Sequence, residues 1–172
     1  VEVSTGSLGQ GLSIASGLAY GLLSRGAASR VFVLLGDGEL QEGQVWEAAM
    51  FAAHQRLCNL IAVVDSNNLQ IDGPVSSVVG LGDLAAKFTA FGWRAVSCDG
   101  HDAGALKQAF DEATAAGQAP TAGQAPTVIV AHTVKGRGVS FMEDKAGWHG
   151  KAPSAEQCAV ALSELQGQEQ SR

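Results

Sequence analysis

Asp37 stands between Gly36 and Gly38 at the end of a run of strand-forming residues, and Asn67 follows a second such run thirty positions later, 67 − 37 = 30. A loop that holds a phosphate through its backbone usually avoids carboxylates, because like charges repel. Asp37 is therefore expected to have something positive beside it. If the two runs are parallel strands joined by a helix, their carboxyl ends share one sheet edge, where open α/β sheets take ligands, and adjacent strands lie about 4.8 Å apart. The oxygens of Asp37 and Asn67 can then converge. A carboxylate, an amide carbonyl and a backbone carbonyl such as that of Leu69 are hard oxygen ligands of the kind Mg2+ or Ca2+ takes. They fill only part of an octahedron, and Mg2+ commonly completes its shell with phosphate oxygens and water. The residues thus point to a cation clamp for a diphosphate.

Two other readings of these residues stay open. Taken singly, Asp in a Gly-Asp-Gly turn and Asn in a loop are ordinary turn chemistry. In a dinucleotide fold the glycines should be spaced G-x-G-x-x-G, whereas Gly36, Gly38 and Gly43 give a spacing two residues longer. Asp65, at 65 − 43 = 22 residues beyond Gly43, nevertheless lies near the place of a ribose-binding acid.

The elements that would position these residues follow from the hydrophobic pattern. Val, Ile and Leu runs alternate with helical periodicity, which marks an α/β domain with a mostly parallel sheet. The pattern predicts helices over 8–24, 44–55, 84–91, 103–115 and 155–165, and strands over 31–35, 60–65, 95–98 and 128–131. Residues 116–127, "AGQAPTAGQAPT", form a six-residue tandem repeat that reads as a solvated loop insertion, and 166–172 as a polar tail. In the first helix Gly9, Ser13, Gly17 and Gly21 recur every fourth residue. Close packing against the sheet is the first explanation of that stripe; close approach of a neighbouring helix, including one from another subunit, is the second.

The whole chain sets further bounds. Its 172 residues suit one domain, and 46% hydrophobic with 16% charged is a globular composition. Glycine is abundant at 22 residues against a usual share of about 7%, which implies sharp turns and close backbone approaches. A formal charge of −6 argues against nucleic acid as a partner. Cys58, Cys98 and Cys158 are odd in number and widely spaced, so no disulfide framework or Cys-x-x-Cys zinc site is readable and a reducing compartment fits. The opening "VEVSTGSLGQG" has no basic or apolar region of a signal peptide and suggests a start within a longer gene. The apolar stretch 12–23 is too short to span a bilayer, which needs about 20 residues, so no membrane role is expected.

"GDG" followed by about thirty residues and an Asn resembles the thiamine diphosphate fingerprint. In chain order "STGSLGQG", "GDGELQEGQVWEA", "NNLQIDG", "FGW", "DGHD" and "VKGRGVSFMEDKAGWHGKAP" resemble transketolase, from Ser4 to Pro153. The resemblance covers most of this chain but only the later part of the family's first, diphosphate-binding domain. The family's preceding segment, with histidines that face the substrate, its pyrimidine-binding domain and its C-terminal domain have no counterpart here. The fold so implied is the three-layer thiamine diphosphate-binding fold, a mostly parallel sheet with helices on both faces, incomplete at the N-terminus.

Residue by residue, the resemblance implies Asp37, Asn67 and the Leu69 carbonyl as metal ligands and Gly38 as a diphosphate contact. Gly6, Ser7 and Leu8 match the turn that touches the cofactor's rings, and Lys135 and His149 match positions facing cofactor and substrate. Alone, Lys135 and Arg137 would pass for surface charge and His149 for a structural histidine. His54, His101 and His132 are taken as structural and Asp102 as a helix N-cap. Glu42 and Glu47 resemble family acids in a network that crosses a dimer interface; otherwise they would complement a helix dipole. The activity implied is transfer of a two-carbon ketol unit from a ketose phosphate to an aldose phosphate, using thiamine diphosphate and Mg2+ (or Ca2+). No residue matches the glutamate that serves the cofactor's aminopyrimidine ring in the family. The expectation is a cytoplasmic, oligomeric partial transketolase, truncated or the first subunit of a split enzyme, inactive without a partner that supplies the pyrimidine-binding domain. Deoxyxylulose-phosphate synthase shares GDG, DGHD and KGRG but differs after KGRG, and a non-catalytic cofactor-binding or assembly module is the alternative outside the enzyme class.

Overall fold

The computed structural model describes residues 1–116 and 124–169. Most of the 116–127 repeat, and 170–172 of the expected tail, therefore lie outside the described residues. In chain order the elements are α1 (Gln10–Ser24), β1 (Val31–Gly36), α2 (Gly43–His54), β2 (Leu60–Ser66), β3 (Leu69–Gln70), β4 (Gly73–Pro74), α3 (Val75–Val78), α4 (Leu84–Ala90), β5 (Arg94–Asp99), α5 (Ala103–Ala116), β6 (Thr127–His132) and α6 (Ala155–Glu169). Short 3-10 turns at Gly38–Gln41 and Ala146–Trp148 complete the path. All four expected strands form, and they line up β1-β2-β6-β5. Every pairing in that sheet is parallel, with Gly36 opposite Asp65, Ser66 opposite His132 and Asp99 opposite His132. The chain therefore leaves all four strands at one edge of the sheet.

Alternation along the strands sorts the side chains into two cores. On one face Leu35, Leu60, Ala62, Val64, Val128 and Val130 pack against α1, α2 and α4, with Phe88 and Trp93 at the centre. The indole N–H of Trp93 donates to the Ala49 carbonyl at 2.9 Å, so this large ring is buried without losing a hydrogen bond. On the other face Ile61 and Ile129 meet Ala109 and Ala113 of α5. That second layer covers β1 only in part: the Phe110 ring of α5 lies 6.0 Å from that of Phe32, and Phe32 and Leu34 stay 53% and 73% exposed. Burying such a side chain is worth about 1.5–3 kcal/mol, so an edge strand with this face open is a region the isolated chain leaves unsaturated.

Helix ends follow their caps. Asp83 accepts the Ala86 amide at 2.9 Å at the start of α4, and Asp102 accepts those of Gly104 and Ala105 at 2.7 and 3.2 Å at the start of α5, the cap expected of it. Ser154 and Gln157 exchange bonds in a capping box ahead of α6, which continues past Leu165 to Glu169. The small-residue stripe of α1 departs from its first explanation. Leu12, Ala15, Ser16 and Ala19 face the core, while Ser13 and Gly17 are exposed beside Ile14, Leu18 and Tyr20. Among the described residues no helix is long and apolar enough to cross a membrane.

Candidate functional site

The parallel register sets the loop after β1 against the loop after β2. One residue past the strand, the Asp37 amide still donates to the Asp65 carbonyl at 3.2 Å, so Asp37 is held at the edge while its side chain turns inward. Its carboxylate is only 4% exposed and accepts from the backbone N–H of Gly38 at 2.8 Å and from that of Asn68. Asn67 sits beside it, its side-chain oxygen accepting the Leu69 amide at 2.9 Å. Asn68 takes the left-handed conformation, φ 57°, and its side chain accepts the Ser76 amide at 3.0 Å, which folds the chain into the β3–β4 hairpin. The turn chemistry expected of single residues is therefore present, and it is what brings the Asp37 carboxylate against the Asn67–Leu69 turn.

Burial dominates the electrostatics of Asp37. It pushes the carboxyl above its ordinary value, the Asn68 and Gly38 amides pull it partly back, the Asp65 carboxylate raises it again and the Lys135 ammonium lowers it. A buried carboxylate with this balance gains from a cation beside it. Among the described residues no group of three or more His, Cys, Asp or Glu could hold a metal, so any cation here depends on the mixed oxygen set of Asp37, Asn67 and a backbone carbonyl. Two further observations fit a bound anion and cation. A Cβ at Gly38 would come 3.2 Å from Cβ and 3.3 Å from Oε1 of Gln70, so a side chain there would press on the hairpin. The Oε1 atom of Gln70 is itself buried with no hydrogen-bond partner.

A second segment is fastened to this loop by a residue that the sequence pattern did not single out. Glu39 accepts the Gly9 amide at 2.8 Å with one oxygen and the Gly36 amide at 3.1 Å with the other. Gln44 adds a bond from its side-chain amide to the Leu8 carbonyl at 3.2 Å. Gly9 has φ 83°, and a Cβ there would lie 2.8 Å from Nε2 of Gln44, so both conformation and space require glycine. Gly6, Ser7 and Leu8, all exposed, lead directly into the segment so fastened.

The third strand end adds Lys135. Beyond β6 the Thr133 amide donates to the Ser66 carbonyl at 3.2 Å, and its hydroxyl donates to the Asp65 carboxylate. Asp65, which a dinucleotide fold would aim at a ribose, is thus engaged within the sheet edge. The Val134 amide donates to Nε2 of His101 at 2.7 Å, so this imidazole is an acceptor at that nitrogen and holds the loop carrying half-buried Lys135. Residues 99–102 and 132–135 are also joined by Gly100 N–H to the His132 carbonyl at 2.8 Å.

Structure therefore gathers Asp37, Gly38, Asn67, Leu69 and Lys135 at one edge, and Glu39 and Gln44 fasten the segment that follows Gly6 and Ser7 to the same loop. Glu47 and His149 stand apart, whereas Glu42 lies against the tethered segment, its Cβ 2.9 Å from where a Gly9 side chain would begin. All three are exposed, and none makes a side-chain hydrogen bond to the Asp37 loop among the described residues. Glu39, Gln70 and the Thr133–Asp65 pair are parts of the site that spacing did not reveal. Glu39 lies inside the "GDGELQEG" run, and its signal was an acid two residues past Asp37.

An open parallel sheet whose adjacent strand ends converge on a buried Asp-Gly pair and an Asn turn defines an α/β cofactor-binding domain. The family described as "Transketolase, thiamine diphosphate binding domain" matches residues 1–170, and the chain belongs to it. Human transketolase is 42% identical over 172 residues, 99% of this chain and 26% of that protein. One of the subunits of the apulose-4-phosphate transketolase of Actinobacillus succinogenes is 38% identical over 165 residues, 96% of this chain and 57% of that protein. The crystal structure of transketolase from Campylobacter jejuni superposes with a TM-score of 0.87 at 29% identity, over 96% of this chain and 26% of that one. The chain thus spans about a quarter of the undivided relatives and just over half of the relative that is itself a subunit. The expected fold is the one observed.

Proposed function

We propose that this chain supplies the diphosphate and cation half of a transketolase, which moves a two-carbon ketol unit from a ketose phosphate to an aldose phosphate. The observation that carries the reading is the buried Asp37 carboxylate set against the Asn67–Leu69 turn at the carboxyl edge of β1 and β2. In this reading the side-chain oxygens of Asp37 and Asn67 and the Leu69 carbonyl hold Mg2+ or Ca2+, and the bare backbone of Gly38 leaves room for a diphosphate. Thiamine diphosphate, once bound, supplies the carbanion chemistry of carbon-carbon cleavage. The protein's share is orientation and charge. Gly6, Ser7 and Leu8, fixed by Glu39 and Gln44, meet the cofactor's rings. Lys135 offsets negative charge beside Asp37, and His149 belongs to the substrate side. Glu42, the residue before α2, and Glu47, within it, are both exposed and are read as meeting another chain.

The name of the Actinobacillus relative supports a sugar phosphate substrate and a divided enzyme; in this reading a second subunit brings the pyrimidine-binding domain. The open face at Phe32 and Leu34 and the outward apolar side of α1 support an oligomer, homomeric or with that second subunit. Free thiols at Cys58, Cys98 and Cys158 support a reducing, cytoplasmic setting.

Ketol transfer assayed with the chain alone and with a candidate second subunit tests the reading. Turnover only in the mixture is expected. Calorimetry with thiamine diphosphate and Mg2+, against NAD as a control, tests the cofactor independently. Binding without turnover in any mixture would favour a non-catalytic cofactor-binding module, and preference for NAD would overturn the reading altogether.

A further inference from the structure

Gln70 carries an unpaired acceptor at the strand-end site. Its Oε1 is one of three buried side-chain polar atoms without a hydrogen-bond partner among the described residues; the others are Oγ of Ser16 and Oδ1 of Asn59. Asn59 has satisfied its amide nitrogen through the Ala19 carbonyl at 3.1 Å and lies before β2, at the opposite edge of the sheet. Ser16 is inside α1, on its core face. Gln70 alone stands at the carboxyl edge. It follows Leu69 in β3, and its Cβ and Oε1 lie 3.2 and 3.3 Å from the point where a Gly38 side chain would begin. A buried carbonyl normally finds a donor, and leaving it without one destabilises the fold. A donor that arrives with a ligand would pair this oxygen.

We propose that Gln70 is an outer ligand of the cation, its side-chain carbonyl accepting a hydrogen bond from a water molecule in the metal's shell. This rests on the cation reading above and extends it to a residue that touches no metal. The chemistry is specific. Asp37, Asn67 and Leu69 provide three oxygens, a diphosphate provides others, and Mg2+ keeps water in the remaining positions because it dehydrates reluctantly. Each such water is a polarised donor needing an acceptor, and the Asp37 lone pairs are shared among the Gly38 amide, the Asn68 amide and, in this reading, the cation. Gln70 has an acceptor uncommitted. Partners of this kind orient the inner ligands and typically change metal affinity 10–100-fold when removed.

The test uses the full chain with thiamine diphosphate and three variants, Gln70→Met, Gln70→Glu and Asp37→Ala. Mg2+ affinity is read by calorimetry, with Mn2+ spin resonance as a second probe, and unfolding of the cation-free chain is followed by circular dichroism. Met keeps the length of the side chain against Gly38 and removes the acceptor. Gln70→Met should weaken Mg2+ binding roughly 10-fold or more while leaving the cation-free chain at least as heat-stable as the parent, because an unpaired acceptor is gone. A merely structural glutamine would show the reverse, a less stable chain with unchanged affinity. Gln70→Glu should bind Mg2+ at least as tightly as the parent. Should Glu weaken binding more than Met does, the amide nitrogen rather than the oxygen faces the ligand and the proposal falls. Loss of Mg2+ binding in Asp37→Ala with no change in Gln70→Met would overturn the role of Gln70 alone; retention of binding in Asp37→Ala would overturn the cation reading beneath it.

Discussion

Asp37 and Glu164 each accept two hydrogen bonds, yet the two acids respond to their surroundings in opposite directions. Asp37 is 4% exposed at the strand-end loops, and burial drives its carboxyl upward despite the Gly38 and Asn68 amides. Glu164 lies on α6, where the Ser140 hydroxyl and amide reach it at 2.6 and 2.7 Å and pull its carboxyl below the ordinary value. In water the same kind of bond stabilises the charge; out of water desolvation outweighs it. The strand-end loops thus hold a charge that costs stability until something positive arrives, whereas α6 is held by a charge content to remain as it is. Raised carboxyls cluster at functional sites, although structural networks produce them too, so at Asp37 it is the converging loops together with the shift that point to a ligand.

The largest effect that could break this contrast is on cation binding. Asp37→Ala should abolish Mg2+-dependent binding of thiamine diphosphate, a loss beyond the 10–100-fold typical of outer partners, since it removes the one anionic ligand named for the site. Calorimetry at saturating Mg2+ measures it, and unchanged affinity would dissolve the distinction between the two acids.

Acidity should move the two regions oppositely. For Asp37 the folded carboxyl titrates above its ordinary 3.8, so the folded chain holds the proton more tightly than the unfolded one. Its contribution to stability is therefore most favourable below 3.8 and declines as pH rises through the raised value. Cation binding needs the carboxylate, so Mg2+ should stabilise the chain progressively more as pH rises through that same interval, with a proton released on binding. Thermal unfolding across the acid range, with and without Mg2+ in the presence of thiamine diphosphate, reads both trends. A Mg2+ effect already complete at the ordinary carboxylate value would contradict the raised titration.

Within the strand-end region, Glu39 is the next residue to alter. Glu39→Ala leaves the Gly9 and Gly36 amides without their acceptor, and a buried donor so orphaned costs about 1–3 kcal/mol. Glu39→Gln, which keeps one acceptor oxygen, should lose less. Urea unfolding gives the ordering, and amide exchange should quicken at Gly9 and Gly36 before it quickens in β2. Equal loss in both variants would mean that the clamp acts through charge alone.

How much of this was open to reading in the sequence depends on the range of the interaction. The runs 31–35 and 60–65 are short, β-branched and apolar, so strands and their parallel alternation with helices followed directly, and with them the meeting of Asp37 and Asn67 at one edge. The β3–β4 hairpin did not, because two-residue strands carry no periodicity and its geometry is set by Asn68 at φ 57°. Glu39 reaches back thirty residues to Gly9, and His101 reaches 33 residues forward to the Val134 amide. Such bonds exist only once the strand order is fixed, and β6 lying between β2 and β5 is not written in local pattern. The stripe of Gly17 and its neighbours failed for a related reason: small residues allow close approach, but which face turns to the sheet was settled by Leu12, Ala15 and Ala19.

The smallest expected effect belongs to the clasp. Helix α6 is exposed along its described length except for Gln157, Ala161 and Glu164, which lie three or four residues apart and so share the face turned to the domain. Glu164 joins α6 to the 133–148 segment through its two bonds from Ser140. Because its carboxyl titrates below the ordinary 4.5, the stability it adds is present above that value and is lost as pH falls through the lower, folded one. Glu164→Gln should therefore quicken amide exchange at Ser140 and along α6 at neutral pH while leaving the main unfolding midpoint where it was, since exposed polar pairs add little to global stability. Ser140→Ala should do the same, and combining the two should add almost nothing, because each removes the same contact. If the unfolding midpoint fell in Glu164→Gln, α6 would be part of the cooperative core, and the division between a strained ligand site and an unstrained clasp would have to be redrawn.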